Sequence, residues 1–406
     1  MVKKYKGFGS TAIHAGQQPD PNHAHVTPIY AGSTYYFDTA EQGMQRFAGE
    51  EDGYIYSRWG NPNLSEAADK IAALEAFGLT DDNKKPLALK GILHASGMAA
   101  LSTMILSTLK TGGAILSHYS LYGGTQELVD KILPRFGVQA IIEDLRDLNK
   151  AADAIKRNPN IRMLYIETPA NPTMQCVDIE ALTQLAHQHN ILVACDNTFA
   201  TPYLQQPFKY SVDFVIHSTT KFLNGHGTAI GGVWIGKDIH FMNTVGTKTH
   251  RLIGGNGNPF DAFLLVQGIK TLELRMDKHC TNVMQVASFL NAHNTIEKVY
   301  YAGLEDHPDY TIAQKQMKHP GAMLSFELKG GFAAGKHFIN KLQMCTSAVS
   351  LGTCDTLVCH PASTTHYGIT KAQREVFGIT DGLVRMSIGI ENIEDILEDV
   401  EQALKV

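Results

Sequence analysis

Short apolar runs alternate along most of this chain with longer stretches in which apolar positions recur every three or four residues. The runs at 87–93, 114–118, 138–143, 162–167, 191–196, 213–217 and 229–235 predict strands. Stretches between them, such as 98–109 and 178–189, predict helices. Strands that alternate with helices imply a mostly parallel sheet covered on both faces, with ligands bound beyond the carboxyl ends of the strands. Upstream, Leu64, Ala67, Ala68, Ile71 and Leu74 keep helical spacing, with Ser65 as a candidate cap. Residues 1–65 read as an extended arm, since Pro19, Pro21, Pro28 and Pro62 interrupt any long helix. The glycine-rich stretch Gly254 to Pro259 is the clearest later boundary. A long helical pattern then begins near Asp261 and runs through Leu265, Ile269, Leu272 and Met276. Beyond it, strands at 322–328 and 383–388 mix with helices, the last of them amphipathic through Ile393, Ile396, Leu397, Val400 and Leu404. The expected organisation is an arm (1–65), a large α/β domain (66–259) and a smaller α+β domain (260–406).

Composition narrows the function. The chain has 406 residues, 44% hydrophobic and 18% charged, with 35 Lys plus Arg against 40 Asp plus Glu. No basic block points to nucleic acid. No apolar run approaches the roughly 20 residues of a membrane span. Lys3, Lys4 and Lys6 are not followed by an apolar core, so the first residues do not read as a signal peptide. Six cysteines without a Cys-x-x-Cys pair fit reduced thiols in a cytoplasmic protein. Cys354, Cys359, His360 and His366 lie close in sequence, but their spacing fits no zinc template, and no metal is expected.

Candidate chemistry falls just after the predicted strands. In the stretch 213–227 an apolar run leads into Ser218, Thr219, Thr220 and Lys221, then a glycine-rich turn. A partly desolvated lysine is a nucleophile, and hydroxyls can donate to a phosphate. Alone, this stretch fits a solvated surface lysine equally well. Ser96, Gly97 and Met98 open a helix whose N-terminus suits an anion. Tyr122 could stack on an aromatic ring or be an ordinary core tyrosine. Asp196 ends an apolar run and needs a cation, either a protonated ring nitrogen or a structural partner. Arg385, inside an apolar strand, needs an anion: a substrate carboxylate or a buried glutamate. The arm carries Tyr56 and Arg58, as a docking element or a packing anchor.

Together the motifs are far more specific. Ser-Gly-Met, Leu-Tyr-Gly, Glu-Thr-Pro followed by Asn-Pro, Asp-Asn-Thr, Ser-x-Thr-Lys-x-x-x-Gly-His and Gly-Leu-Val-Arg-x-Ser occur in this order. From about Thr11 to Leu404 the chain resembles the Cys/Met-metabolism family of pyridoxal-phosphate enzymes, of fold type I. That family includes methionine γ-lyase, cystathionine γ-synthase and γ-lyase, and O-acylhomoserine sulfhydrylases. Segments 321–331 and 348–352 are most similar to the methionine γ-lyases. The resemblance implies pyridoxal 5'-phosphate bonded to Lys221, with Asp196 at its ring nitrogen and Tyr122 stacked on its ring. Gly97, Met98, Ser218 and Thr220 would hold its phosphate. Tyr56 and Arg58 would reach the phosphate of a neighbouring subunit, in a homotetramer built from dimers. Arg385, Ser350 and Asn171 would hold the substrate carboxylate. The implied reaction is γ-elimination of a sulfur amino acid, with Lys221 as base and Tyr122 as acid; the alternatives are γ-replacement on O-acylhomoserine, as a sulfhydrylase or cystathionine γ-synthase, or cystathionine γ-lyase activity.

Several positions depart from the methionine γ-lyase pattern. Gly124 stands where a cysteine is typical, Lys248 is followed by Thr249 rather than aspartate, and Thr228 replaces an aspartate. Ile55 and Val349 stand where cystathionine γ-lyases carry acids, so an apolar pocket is expected. An insertion at about 79–90 reads as a surface loop.

Overall fold

The apolar runs form strands because every position between helical layers must be dry. The computed structural model describes residues 5–405 apart from 18, 19, 369 and 377, so Pro19, Lys3 and Lys4 lie outside the described residues. Seven strands follow the predicted runs: β1 (Lys90–His94), β2 (Ala114–His118), β3 (Gln139–Glu143), β4 (Ile161–Glu167), β5 (Leu192–Asp196), β6 (Phe214–Ser218) and β7 (Gly232–Gly236). They make one sheet in the order β1-β7-β6-β5-β4-β2-β3. Strands β2 to β5 pair in parallel, and β1 pairs antiparallel with β7. β2 is buried at all five positions, which explains a continuous apolar run rather than an alternating one. The predicted helices appear as Gly97–Thr108 and Ile179–Gln188.

A second sheet is built from β8 (Ile296–Tyr300), β9 (Met323–Leu328), β10 (Thr346–Ser347), β11 (Leu357–Cys359) and β12 (Leu383–Ser387), in the order β10-β11-β12-β9-β8. Its core joins Phe326, Val358 and Val384 to Val283 and Leu290 of the helix Leu272–Ala292 and to Val400 of the last helix, Ile393–Leu404.

Three expectations are corrected. The helix over Leu64 to Leu74 spans Pro62–Glu75, and Asn61 rather than Ser65 caps it, its side chain accepting from Asn63 N–H. Pro62 sits in its first turn, where the missing N–H costs nothing, so this proline starts a helix instead of breaking one. The long pattern from Asp261 is two helices, Pro259–Ile269 and Leu272–Ala292. Lys270 and Thr271 bond back to Gln267 and Gly268, and this tightened turn ends the first helix. The arm is not wholly extended either, since it carries short helices at Phe8–His14 and Ala40–Ala48. The 79–90 segment is a turn closed by the Thr80–Pro86 bridge, with Asp81 Oδ1 accepting from Asn83 and Lys85 N–H.

The chain divides into two compact units. The first comprises residues up to Thr108, Ile216–Thr220 and Thr228–Thr271; the second comprises Leu109–Val215, Lys221–Gly227 and residues from Leu272 onward.

Candidate active site

In the first unit, Ser218 ends β6 and Gly97 opens the helix Gly97–Thr108. Ser96 holds that opening, its Oγ accepting from Ala99 N–H at 3.1 Å. A Cβ on Gly97 would lie 3.0 Å from Ser218 Cβ, so only glycine lets strand and helix approach this closely without displacement. Gly232 is tighter still, since a Cβ there would lie 2.3 Å from the Ser96 carbonyl. Thr220 Oγ1 accepts from Gly231 N–H (3.1 Å) and donates to the Gly231 carbonyl (3.3 Å). Glycines thus let β6, β7 and the turn 96–97 pack closely around a helix N-terminus, with Ser218 beside Gly97 and Met98 in the first turn. Backbone N–H groups and the helix dipole favour an anion there. Ser96 and Gly232 were not singled out as site residues from sequence. Gly232 is legible only once β7 is known to pass the turn 96–97.

Tyr56 and Arg58 lie on the arm of the same unit. The Arg58 guanidinium sits 5.6 Å from the Tyr56 ring centroid, and its Nη1 donates to the Arg251 carbonyl at 2.6 Å. Tyr56 is 42% exposed.

In the second unit, Lys221 Nζ donates to Ser350 Oγ at 3.1 Å. Burial, and then the charge of Arg385, lowers the lysine pKa to about 8. The amine is therefore a far better nucleophile and base near neutrality than a solvated lysine. Arg385, in the middle of β12, is buried. Its Nη1 donates to Asn171 Oδ1 at 3.1 Å, and its Nη2 donates to the carbonyls of Val349 (3.2 Å) and Ser350 (3.0 Å). These partners are neutral, and Arg385 Nε is buried with no hydrogen-bond partner. A guanidinium held this way has a donor and a full charge left for an anion.

The acidic part of this unit is richer than expected. Asp196 ends β5, where Oδ1 accepts from Thr198 N–H at 2.9 Å and Oδ2 from the Tyr165 hydroxyl at 3.4 Å. Directly across the parallel pairing, Glu167 ends β4. Its oxygens accept from Tyr122 N–H (2.6 Å), Thr125 Oγ1 (2.8 Å) and the Tyr165 hydroxyl (3.3 Å). Burial, and then the charge of Asp196, pushes the Glu167 pKa up. Glu167 is buried and Asp196 half-buried, they share one tyrosine hydroxyl, and a protonated ring nitrogen would suit such a pair. Glu167 was read from sequence only as the start of a turn. The signal it gave was that two neighbouring apolar runs both end in an acid. Tyr122, half exposed, caps the helix that begins at Gly123, and Glu167 fixes its backbone.

The structure thus joins Lys221, Ser350, Arg385 and Asn171 in one network, and Asp196 and Tyr122 in another through Tyr165 and Glu167. Of the cysteines and histidines once weighed for metal, Cys359 contacts Thr364, His360 bonds Ser363 and the Asp381 carbonyl, His366 bonds Thr365, and Cys354 meets the Gly225 carbonyl. Among the described residues, no group of three or more His, Cys, Asp or Glu is placed to hold a metal ion, and no helix is long and apolar enough to cross a membrane.

The comparisons with known proteins agree with this chemistry. The model of the Cys/Met metabolism PLP-dependent enzymes matches residues 9–405. The chain is 48% identical to an L-methionine gamma-lyase of Fusobacterium nucleatum subsp. nucleatum over the full length of both chains. It is 45% identical to an L-methionine gamma-lyase of Porphyromonas gingivalis, covering 98% of this chain and 97% of that one. Among solved structures, cystathionine gamma-lyase from Lactobacillus plantarum complexed with L-serine superimposes with a TM-score of 0.89 at 36% identity, covering 98% of each chain. The fold is that of the fold type I enzymes of this group, whose family depends on pyridoxal phosphate, and each unit by itself carries groups that suit part of that cofactor: a cradle of neutral donors for a phosphate in the first, a lysine of lowered pKa and carboxyl groups in the second. The chain belongs to the Cys/Met-metabolism family of pyridoxal-phosphate-dependent enzymes.

Proposed function

We propose that the protein is a methionine γ-lyase, converting methionine and water to methanethiol, 2-oxobutanoate and ammonia. The observation that carries this reading is the buried Arg385, with a free donor and only neutral partners, in one hydrogen-bonded network with the activated Lys221. The full-length likeness to L-methionine gamma-lyases supports it.

In this reading the backbone at Gly97 and Met98, with the hydroxyls of Ser218 and Thr220, holds the cofactor phosphate, and Asp196 faces the ring nitrogen. Pyridoxal phosphate, when bound, supplies an electrophilic carbonyl carbon and a sink for negative charge at the substrate Cα. Arg385 grips the substrate carboxylate, with Asn171 and the Ser350 carbonyl fixing the plane of its fork. Lys221 Nζ, oriented by Ser350 Oγ, takes the Cα proton, and its pKa near 8 lets it give that proton back. Tyr122 donates a proton to the departing sulfur. Ile55 and Val349 present no charge to the substrate side chain, which suits a thioether rather than a distal ammonium. Tyr56 and Arg58 reach the phosphate site of a neighbouring copy, in a cytoplasmic homotetramer. Exposed apolar residues of the first unit, including Met44, Phe47 and Leu252, supply surface for such contacts.

A substrate panel tests this. Methionine alone should yield 2-oxobutanoate and methanethiol. Product formed only when an acylated homoserine and a sulfur nucleophile are supplied together would sink the lyase reading and leave a replacement enzyme.

A further inference from the structure

A cavity of about 180 Å³ opens within the first unit, and none of the cradle residues lines it. That is far more room than a single water needs. The cavity lining is apolar at Ile13, Val26, Phe263 and Val266 and otherwise polar, with Glu66, Thr27, Gln267 and Lys270 beside His14, Gln17, His25 and Asn63. Glu66 is 5% exposed, yet among the described residues its carboxylate makes no hydrogen bond and no ion pair. Lys70, whose Nζ donates to the carbonyls of Ala12 (3.1 Å) and Ile13 (3.0 Å), attracts it electrostatically without a hydrogen bond. Two further polar atoms, Thr27 Oγ1 and Gln267 Nε2, are buried without a partner. Gln267 Oε1 accepts from Lys270 Nζ at 2.9 Å, which leaves its amide nitrogen as an unused donor. Buried polar groups are ordinarily satisfied, so the unpartnered Thr27 and Gln267 atoms call for an occupant of the cavity.

We propose that this cavity is a second, non-catalytic binding site for an apolar α-amino acid in its zwitterionic form. The ligand's ammonium meets Glu66. Its carboxylate takes the Gln267 amide, the Thr27 hydroxyl and the Lys270 charge. Its side chain lies on the apolar wall. Other ligand classes match less of the site. A simple anion meets Glu66 as a like charge, a simple cation leaves the Thr27 and Gln267 donors unanswered, and a hydrocarbon leaves all of them unanswered. The site does not depend on which reaction the enzyme catalyses.

Equilibrium dialysis of the cofactor-loaded enzyme against L-norleucine, which has no sulfur and no γ leaving group, tests the proposal. Glu66→Gln and Gln267→Leu, each made separately, should weaken the binding of one norleucine per chain at least tenfold. Arg385→Ala should retain that molecule. Methionine turnover by Glu66→Gln at saturating substrate should stay at the wild-type value. Equal norleucine binding by wild type and Glu66→Gln overturns the proposal. So does a change in assembly mass in Glu66→Gln, because another copy of the chain would then be the occupant.

Discussion

The cradle of the first unit and the lysine–arginine network of the second are each suited to an anion, by opposite means. The cradle uses neutral groups. Its donors are backbone N–H and hydroxyl, its shape comes from glycines, and Thr220 is bonded to a residue only eleven positions away. The second region uses buried charge. Arg385 is oriented by Asn171, 214 positions distant, and by carbonyls 35 and 36 positions back in the chain. Neutral donors can be buried by local folding alone. A buried guanidinium needs partners gathered from several elements, and it repels the neighbouring lysine while it waits for its anion. One region should therefore fail through shape and the other through charge.

The largest effect should come from Lys221→Ala. Removing the amine should abolish the visible absorbance of the bound cofactor and cut turnover by on the order of 10³ or more. Retention of a band that borohydride fixes to another lysine would refute the assignment. Next is Arg385→Ala. Loss of one partner of a buried charge pair costs about 2–5 kcal/mol, which is roughly 30- to 4,000-fold in kcat/KM. The visible band should survive. Arg385→Lys should rescue little, because an ammonium cannot reproduce a planar fork held by Asn171 and two carbonyls. Unchanged kinetics in either variant would remove this residue from the site.

Shape gives the third test. Gly232→Ala places a methyl where the Ser96 carbonyl is 2.3 Å away, so the turn at 96–97 must move. Overpacking of this kind costs about 1–3 kcal/mol, which predicts a roughly 5- to 150-fold weaker cofactor dissociation constant. Cofactor titration of the dialysed protein measures it. KM for methionine at saturating cofactor should change little. An unaltered cofactor affinity would break the comparison, because the cradle would then not be fixed by its glycines.

The same contrast explains what could be read from sequence. The strands of the first sheet were legible because parallel strands buried on both faces leave continuous apolar runs, as in Ile115 and Leu116 of β2. Gly97, Ser218 and Thr220 stood out because each lies where a strand ends or a helix begins, although Gly97 and Ser218 come together from distant parts of the chain. Arg385 announced itself as a charge in an apolar strand. Glu167 did not, because its role depends on β4 and β5 lying side by side with both acids in register. Gly232 was hidden for the same reason, since the carbonyl it must clear belongs to a residue 136 positions earlier. The Asn61 cap and the break at Lys270–Thr271 were missed for a different reason. Helical spacing persists across a single tightened turn, so periodicity alone cannot locate it.

The smallest effect separates the two regions by pH. In the first unit the His94 and His250 rings meet edge to face with their centroids 4.5 Å apart, and His94 Nε2 and His250 Nδ1 are buried without partners. Burial, and then each other's or a neighbour's charge, lowers their pKa values to about 3 and about 4. Between pH 6.5 and those values the unfolded chain takes up protons that the folded chain refuses. Stability should therefore fall as pH drops below about 6.5, by up to roughly 1.4 kcal/mol per pH unit for each fully buried histidine. His279 of the second unit, lowered to about 4 chiefly by burial, adds to the same limb. Glu167 acts in the other direction. Its raised pKa keeps the folded carboxyl protonated above the usual carboxylate range, where the unfolded chain ionises, so its contribution is present in acid and lost as pH rises. In the cofactor-free protein, Glu167→Gln removes that loss and resembles the protonated acid in shape. Thermal midpoints from pH 5 to 7.5 should show the variant gaining steadily on wild type as pH rises, because the Glu167 window overlaps the histidine limb and the two contributions add. A variant that gains nothing over that range would mean that Glu167 is not held protonated in the folded chain, and the description of the second region as one governed by charge would have to be given up.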